Sequence, residues 1–214
     1  MRFPAVVLLA VLGASTCVRD PAPAPPLQTA LVDLHTVAPT VRLDIRYATP
    51  NNFTGRALYP VPRCLLRPAV AQRLARAQAR LEAMQLGLQV YDCYRPLSVQ
   101  RELWALMPDE RYVADPAKGS RHNRGAAVDL TLVDANGNEL TMPTGFDDFS
   151  ERAHRTYSAL PPVARANRAL LEHVMADAGF EPLPTEWWHF DAQGWQAYEV
   201  LDVPLPTDPT PAAR

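Results

Sequence analysis

The sequence predicts an α+β fold, a single domain in which a central, mainly antiparallel sheet is flanked by helices. Two observations favour this class. Segments with helical periodicity and short strand-like segments are interspersed along the chain, as in folds that mix both elements. The apolar strand expected over residues 126–133 ends in a hairpin-like turn at 134–138 (DANGN), which favours antiparallel neighbours over a doubly wound parallel sheet. With 214 residues, 48% of them hydrophobic, the chain can bury the core of one such domain.

Periodicity and boundary residues define the individual elements. In chain order we expect a strand over 42–47, a loop over 51–55, a helix over 68–86, a strand over 88–91, a helix over 97–106, a strand over 126–133, a helix over 164–178 and a strand over 187–191. The first strand alternates (RLDIRY), and the strand from 126 is continuously apolar apart from one acid. Gly87 is expected to stop the first helix, Pro96 precedes the second, and Gly179 stops the third.

The N-terminus has the layout of an export signal, which we assign to residues 1–17. A short basic start precedes an apolar run over residues 3–14, and small residues follow it. The run is too short for a stable membrane span. Cys17 stands where a bacterial lipoprotein carries its acylated cysteine and is a candidate lipid anchor, although Thr16 before it is unusual and ordinary cleavage is the alternative. We therefore expect an exported protein of the bacterial periplasm, anchored by lipid if Cys17 is acylated.

Composition divides the rest of the chain into three parts. Residues 18–30 are rich in Pro and Ala without apolar periodicity and predict an extended tether. Residues 204–214 are again rich in Pro and predict a tail. The folded unit is therefore expected over residues 31–203.

Charge and cysteine content restrict the partners and the compartment. A formal net charge of -2 argues against nucleic acid and suits a small or zwitterionic substrate better. Once Cys17 is cleaved off or acylated, Cys64 and Cys93 remain. In an exported protein such a pair is a candidate disulfide, whereas in the cytosol it would be two buried thiols.

Two distant segments contain the residue types that a catalytic zinc needs, SRHNRGAAVD at 120–129 and EWWH at 186–189. Zinc prefers His nitrogen and carboxylate oxygen, and catalytic sites keep three protein ligands with one position open. Asp129 lies in an apolar strand, where an unpaired carboxylate is costly and a cation gives it a partner. Gly125 offers a turn that brings the preceding histidine back beside it. The predicted ligands of one Zn²⁺, at the sheet, are His122, Asp129 and His189.

Glu186 is better suited to act as a base than as a fourth ligand. It follows Pro184, so a bend there can aim its carboxylate over the open coordination position. Zinc lowers the pKa of bound water to roughly 7, and a nearby carboxylate can take the proton and pass it to the leaving amine.

Taken alone, each of these residues has an ordinary structural explanation. The adjacent tryptophans are expected to form core and pocket wall, and no role is assigned to His35, His154 or His173.

Together these residues resemble a known family. The pattern S-x-H-x-x-G-x-A-x-D followed by E-x-W-H, here S120 to D129 and E186 to H189, is similar to that of the zinc D,D-peptidases. This family includes D,D-carboxypeptidases and the dipeptidases of the vancomycin-resistance type. The resemblance implies that the first His, the Asp and the last His bind zinc and that the Glu is the base, in agreement with the assignments above.

Further likenesses point to the D-Ala-D-Ala dipeptidases within this family. The segments RYAT with NFTG within 46–55, DCYRP at 92–96 and FD at 146–147 resemble segments of those dipeptidases. The resemblance covers nearly the whole folded part, about residues 31–203. By this likeness Arg95 stabilises the tetrahedral oxyanion. It also implies that Tyr47 and Asp147 hold the substrate ammonium and that Ser120 holds the substrate carboxylate. Asp148 is an alternative to Asp147.

The resemblance predicts zinc-dependent hydrolysis of the D-Ala-D-Ala dipeptide, with two alternatives. One is a D,D-carboxypeptidase acting on longer peptidoglycan stem peptides, which would need an open cleft. The other is a zinc-stabilised cell-wall binding protein, which would not need Glu186. Two departures from the family pattern matter: the resistance dipeptidases lack an export signal, and Cys64 and Cys93 are not part of the pattern. Export favours turnover or salvage of cell-wall peptides over a resistance role.

Overall fold

The computed structural model describes residues 30–208, so the predicted export signal, the candidate lipid anchor Cys17 and most of the tether lie outside the described residues. The α-helices within that range are α1 (Pro68–Glu82), α2 (Leu97–Leu106) and α3 (Pro162–Asp177). The strands are β1 (Val32–Asp33), β2 (Arg42–Leu43), β3 (Leu65–Leu66), β4 (Leu86–Asp92), β5 (Ala127–Asp134), β6 (Phe180–Pro182) and β7 (His189–Ala192).

A five-stranded sheet in the order β2-β4-β5-β7-β6 forms the centre of the domain. The pair β2/β4 is parallel, and the pairs β4/β5, β5/β7 and β6/β7 are antiparallel. A separate antiparallel pair joins β1 to β3. The predicted α+β class with a mainly antiparallel sheet is confirmed. The turn at 134–138 folds the chain back as expected, since Asp134 accepts the backbone N–H of Asn136 and Asn138 and Val133 bridges to Glu139.

Helices α1 and α3 contact each other and the sheet. The buried side of α1 presents Val70, Leu74 and Leu81, all with no exposed surface. Residues alternate between the two faces of β5, so Asp129 points away from the face that carries Val128 and Leu130. The core extends to Leu205, which is 7% exposed. Among residues 30–208, none of the helices combines the length and the apolar character needed to cross a membrane.

Two predicted boundaries around the first helix are wrong. The helix ends at Glu82 instead of 86, and Gly87 lies inside β4 instead of stopping the helix. Gln85 takes the left-handed conformation instead, with φ 58°. The chain leaves the helix early because Leu86 already pairs with Asp134 in the sheet, and this pairing outweighs local helical preference.

The expected strands at 42–47 and 187–191 are also shorter or shifted. Only Arg42–Leu43 pairs in the sheet, and Arg46–Ala48 forms a 3-10 turn that carries Tyr47. Trp187 and Trp188 form a turn, and strand pairing begins at the following histidine. The third helix begins two residues earlier than predicted, at Pro162, and Gly179 follows it with φ 92°.

Candidate active site

One cavity of about 290 Å³ is lined by every residue that we predicted to bind metal, act in catalysis or contact substrate. These residues are Tyr47, Arg95, Ser120, His122, Asp129, Asp147, Glu186 and His189. Trp188 also lines the cavity, whereas His35, His154 and His173 do not. Residues separated by up to 142 positions in sequence thus share one space, which is the geometry that a multi-residue site requires.

The local structure explains how the three predicted ligands meet. Asp129 of β5 lies directly opposite His189 of β7 in the sheet register. His122 begins a 3-10 turn that ends at Gly125, where φ is 64°. A side chain at Gly125 would be strained by this conformation and would also approach Leu31 to 2.5 Å. The turn expected at this glycine is therefore present, and it folds the first histidine back beside β5.

The donor atoms of the three ligands lie at the spacing of a metal site. The Nδ1 atom of His189 is 2.9 Å from Oδ1 of Asp129, and Nε2 of His122 is 3.4 Å from Oδ2 of the same carboxylate. The two imidazole nitrogens are 3.2 Å apart. Tetrahedral zinc ligands, bound at about 2.0–2.1 Å, lie roughly 3.3 Å from one another. The three buried residues can therefore hold one metal ion.

Each histidine is oriented by a second contact. Nδ1 of His122 lies 2.7 Å from the carbonyl oxygen of Cys93, and Nε2 of His189 lies 2.9 Å from Oδ1 of Asp191. Because these oxygens accept, the outer nitrogen of each ring donates, which leaves the inner nitrogen, beside Asp129, as the atom that would bind a metal. This is the arrangement of metal-binding histidines, whose outer N–H is held by a carbonyl or carboxylate.

The charges of the site favour a cation at the same point. Burial opposes a charge on His189, but the carboxylates of Asp191 and Asp129 outweigh it and raise the pKa of this histidine to about 10. Burial also opposes the charge on Asp129, yet His122 and His189 hold the pKa of its carboxyl well below its usual range. The site stabilises positive charge between two carboxylates, so the donor set fits a divalent ion with N and O preferences, as zinc has.

Glu186 lies at the rim of this cluster. Its Oε2 atom is 3.9 Å from Nδ1 of His189, and the residue is 6% exposed. The bend expected after Pro184 is present as a turn at residues 184–185. Burial raises the pKa of Glu186 to about 8, so its carboxylate has a high affinity for a proton. A carboxylate with these properties beside a metal cluster can act as a general base.

Arg95 lines the same cavity and is held in a buried network of hydrogen bonds. Its Nε and Nη2 atoms donate to Oδ2 of Asp92 at 3.1 and 2.6 Å, and Nη1 donates to Gln100 at 2.8 Å. Its guanidinium carbon lies 5.1 Å from the ring centre of Tyr47. The register between β4 and β5 shifts between Val90 and Asp92. This irregularity lies three residues before Arg95, and bulges of this kind re-aim side chains beside active sites.

The expected substrate contacts occupy two further parts of the wall. Tyr47 donates its hydroxyl to Oδ1 of Asp147 at 3.3 Å, and Asp147 has a left-handed backbone with φ 60°. Asp148 does not line the cavity; its carboxylate accepts the N–H of Ser150. The structure thus favours Asp147 over its neighbour as the cavity acid. Ser120 is buried next to the first ligand, and its hydroxyl accepts the backbone N–H of His122 at 3.2 Å.

The sequence profile of the family described as D-Ala-D-Ala dipeptidase, a group of M15 peptidases, matches residues 27–204. The chain belongs to this family. A D-alanyl-D-alanine dipeptidase of Escherichia coli is 42% identical over 173 residues, which cover 81% of this chain and 90% of the relative. Enzymes of the same name from Enterococcus faecalis and Streptomyces coelicolor are 33% and 34% identical, over 78% and 70% of this chain and 89% and 85% of theirs. The M15 peptidases are metal-dependent hydrolases.

This member of the M15 family carries a disulfide beside the site. Cys64 and Cys93 are joined, with their Cα atoms 5.2 Å apart, and both are buried. The bond links the end of β4 to the segment before β3. Cys93 therefore connects the disulfide to His122, through its carbonyl oxygen, and to the neighbouring Arg95.

Three residues that position Arg95 or His189 through hydrogen bonds were not predicted from the sequence: Asp92, Gln100 and Asp191. Asp92 stands inside the DCYRP segment, but nothing in that segment shows that it pairs with the arginine. Asp191 follows His189 by two positions, and residues so spaced share one face of a strand, so alternation would have indicated it. Gln100 lies on a predicted helix and gives no signal of its own.

Proposed function

We propose that the protein hydrolyses the D-Ala-D-Ala dipeptide with one Zn²⁺ held by His122, Asp129 and His189. The observation that carries this proposal is the meeting of these three donors with Glu186 and Asp147 in one cavity. The three metal donors and Glu186 supply the chemistry that a metallopeptidase needs. Asp147 offers an anion that can pair with the free amine of a dipeptide. The names of the relatives from three organisms support the same substrate.

When bound, zinc supplies a Lewis acid that polarises the scissile carbonyl and lowers the pKa of water to about 7. The carboxylate of Glu186 takes the proton of the attacking water and delivers it to the nitrogen of the leaving D-alanine. Its position 3.9 Å from a ligand nitrogen supports this role, since a group there reaches the reacting atoms. Burial excludes bulk water from competing for that proton.

Arg95 faces the charge that develops on the carbonyl oxygen. Three of its N–H groups are used by Asp92 and Gln100, so hydrogen-bonding capacity remains for a substrate oxygen. Because the guanidinium is already fixed, little reorganisation is needed as the charge forms. Such a donor contributes roughly 3 kcal/mol to transition-state stabilisation.

The two ends of the dipeptide are held on opposite sides of the reacting bond. Asp147, supported by the Tyr47 hydroxyl, accepts the substrate ammonium, and Ser120 hydrogen-bonds the carboxylate. A D,D-carboxypeptidase acts on peptides whose corresponding amine is acylated, so it has no use for an acid at this point. Asp147 therefore favours a dipeptidase over that alternative.

The activity test compares D-Ala-D-Ala with N-acetyl-D-Ala-D-Ala, together with the Zn content of each preparation. Replacing Glu186→Gln should leave the zinc bound and lower kcat by about 10²–10⁴-fold, because only the proton transfer is removed. Glu181→Gln, on the exposed surface of β6, is the matched control and should keep full activity. Full activity of Glu186→Gln would remove this residue from the mechanism. Full activity of zinc-free protein would contradict the whole proposal.

We also propose that the protein works outside the cytoplasm, in the periplasm, on peptides released from the cell wall. The export-signal pattern at residues 1–17 and the Cys64–Cys93 disulfide support this location, since disulfides persist in oxidising compartments. The mass of the mature protein tests it. Loss of the N-terminal segment is expected, and an added diacylglycerol mass at Cys17 would establish the lipid anchor. A full-length, unprocessed mass from the native host would contradict export.

A further inference from the structure

Three aromatic side chains from three different loops meet at one end of the cavity. The rings of Tyr112 and Phe149 are stacked, with centroids 5.0 Å apart and an angle of 30° between their planes. Phe53 packs edge-on against Phe149 at 5.3 Å. All three residues line the cavity. We refer to Phe53, Tyr112 and Phe149 as the aromatic cover.

The cover lies at the end of the cavity where Asp147 is found. The backbone N–H of Phe53 donates to Oδ2 of Asp147 at 3.2 Å, and Phe149 follows Asp147 by only two residues. The Tyr47 ring, whose hydroxyl donates to the same carboxylate, packs edge-on against Phe53 at 6.3 Å. A ligand amine that paired with Asp147 would therefore have the cover as its next neighbour.

The loop that carries Tyr112 is attached on two sides. The side-chain amide of Gln100 in α2 donates to the carbonyl oxygen of Ala114 at 2.7 Å. The hydroxyl of Thr185, next to Glu186, donates to the carbonyl oxygen of Arg111 at 3.2 Å. These bonds fix the loop on either side of Tyr112. The backbone that carries the ring is therefore held in place, and the ring itself packs against Phe149.

We propose that the Tyr112–Phe149 stack determines the substrate class of this enzyme by closing the space beyond the substrate amine. A dipeptide with a free ammonium ends at Asp147 and fits below the cover. A peptide extended at that nitrogen, by an acyl group or a further residue, would have to pass through the stacked rings. This inference rests on the proposed dipeptidase function and adds a steric determinant to the charge of Asp147.

The test measures kcat/KM for N-acetyl-D-Ala-D-Ala in the zinc-loaded enzyme. Removing both rings, in Tyr112→Ala/Phe149→Ala, should raise this value roughly tenfold or more, because a pocket that loses a steric barrier admits the larger analogue. Tyr112→Phe keeps the stack and should leave the acetylated peptide excluded. Asp147→Asn removes the charge but keeps the cover, so it should weaken cleavage of D-Ala-D-Ala without admitting the acetylated peptide.

Single variants keep the test decisive if the double variant does not fold. Tyr112→Ala changes a half-buried residue in a loop and should by itself raise kcat/KM for the acetylated peptide. A folded, zinc-loaded Tyr112→Ala enzyme that cleaves D-Ala-D-Ala and still excludes the acetylated peptide would overturn the steric role. Wild-type enzyme that cleaves both peptides equally would also overturn it, while leaving hydrolysis intact. Wild-type enzyme that cleaves neither would instead remove the proposed function, and this inference with it.

Discussion

The Nε2 atom of His189 lies 2.9 Å from Oδ1 of Asp191, two residues further along the same strand. The other oxygen of Asp191 is 3.5 Å from Nε of Arg121, whose guanidinium in turn lies over the ring of Trp195. Asp191 is thus held between a predicted metal ligand and a fixed cation. Its carboxylate accepts from Nε2 of His189 and directs Nδ1 toward Asp129, so that Nδ1 is the nitrogen that would bind a metal.

Replacing Asp191→Asn should weaken metal binding by about tenfold or more. The amide oxygen can still accept a hydrogen bond but lacks the charge that makes the imidazole a stronger donor to a cation. Competition with a chelator that reports free Zn²⁺ measures the affinity directly, without an activity assay. Asp177→Asn, at an exposed position on α3, is the matched control. Equal affinities of the two variants would exclude a role for Asp191 at the metal.

Gln100 joins Arg95 to the loop that carries Tyr112. It accepts from Nη1 of Arg95 at 2.8 Å and donates to the carbonyl oxygen of Ala114 at 2.7 Å. In Gln100→Met, which preserves the volume, both bonds are lost and a carbonyl oxygen is left without this donor. The unfolding free energy should fall by about 1–3 kcal/mol. Denaturant unfolding measures this change.

The same variant should lower kcat more than it raises KM, since Arg95 acts on the transition state in the proposed mechanism. Gln72→Met on the exposed side of α1 controls for the substitution itself. A Gln100→Met enzyme with wild-type kcat would show that Arg95 keeps its position through Asp92 alone.

The candidate site residues could be predicted from the sequence because short-range geometry carries much of the information. A glycine three positions after His122 turns the chain back, and a proline two positions before Glu186 bends it, so both segments could be interpreted locally. The resemblance to a family then joined the two segments. Neither step required knowledge of which strands pair in the sheet.

Features that depend on long-range pairing were missed or misplaced. Glycine commonly follows the last residue of a helix, but the pairing of Leu86 with Asp134 places Gly87 in a strand. Similarly, the contact between Tyr112 and Phe149 joins residues 37 positions apart in two loops without periodicity. Local propensities contribute tenths of a kcal/mol per residue and are overridden by tertiary contacts, so the sequence alone gives no signal for either feature.

The Cys64–Cys93 disulfide should stabilise both the fold and the metal site. It closes a loop between residues 29 positions apart, which corresponds to roughly 3–4 kcal/mol in the chain-entropy model. Because the Cys93 carbonyl orients His122, the double variant Cys64→Ala/Cys93→Ala should also bind zinc more weakly. Urea unfolding and chelator competition measure the two effects separately. A variant that unfolds at lower urea but binds zinc as tightly as wild type would limit the disulfide to a role in stability.

Asp147 is the cavity acid whose charge state should govern pH dependence. Burial is the main reason that its pKa rises from 3.8 to about 7, and the N–H of Phe53 opposes the shift only in part. The charged and titratable groups around it are Tyr47, which donates to it, Arg95, which lowers its pKa, and Asp92 and Asp129, which raise it; Glu186 lies in the same cavity. The carboxylate is thus surrounded by more negative than positive groups.

This raised pKa predicts opposite effects of pH on stability and on substrate binding. Below about pH 3 the carboxyl is protonated in both folded and unfolded protein and has no linked effect. As pH rises toward 7, the unfolded chain releases the proton first, so metal-free wild type should lose stability relative to Asp147→Asn, by about 2–3 kcal/mol between pH 5 and pH 8. Urea unfolding at pH 5 and pH 8 tests this, with Asp148→Asn as the control for changes in the same loop. Zinc in the same cavity lowers the pKa of Asp147, so in the zinc enzyme KM for D-Ala-D-Ala should fall as pH rises through a value below 7 in wild type but not in Asp147→Asn, because only the ionised carboxylate pairs with the substrate ammonium. A stability difference that is the same at both pH values would show that Asp147 is already ionised at pH 5.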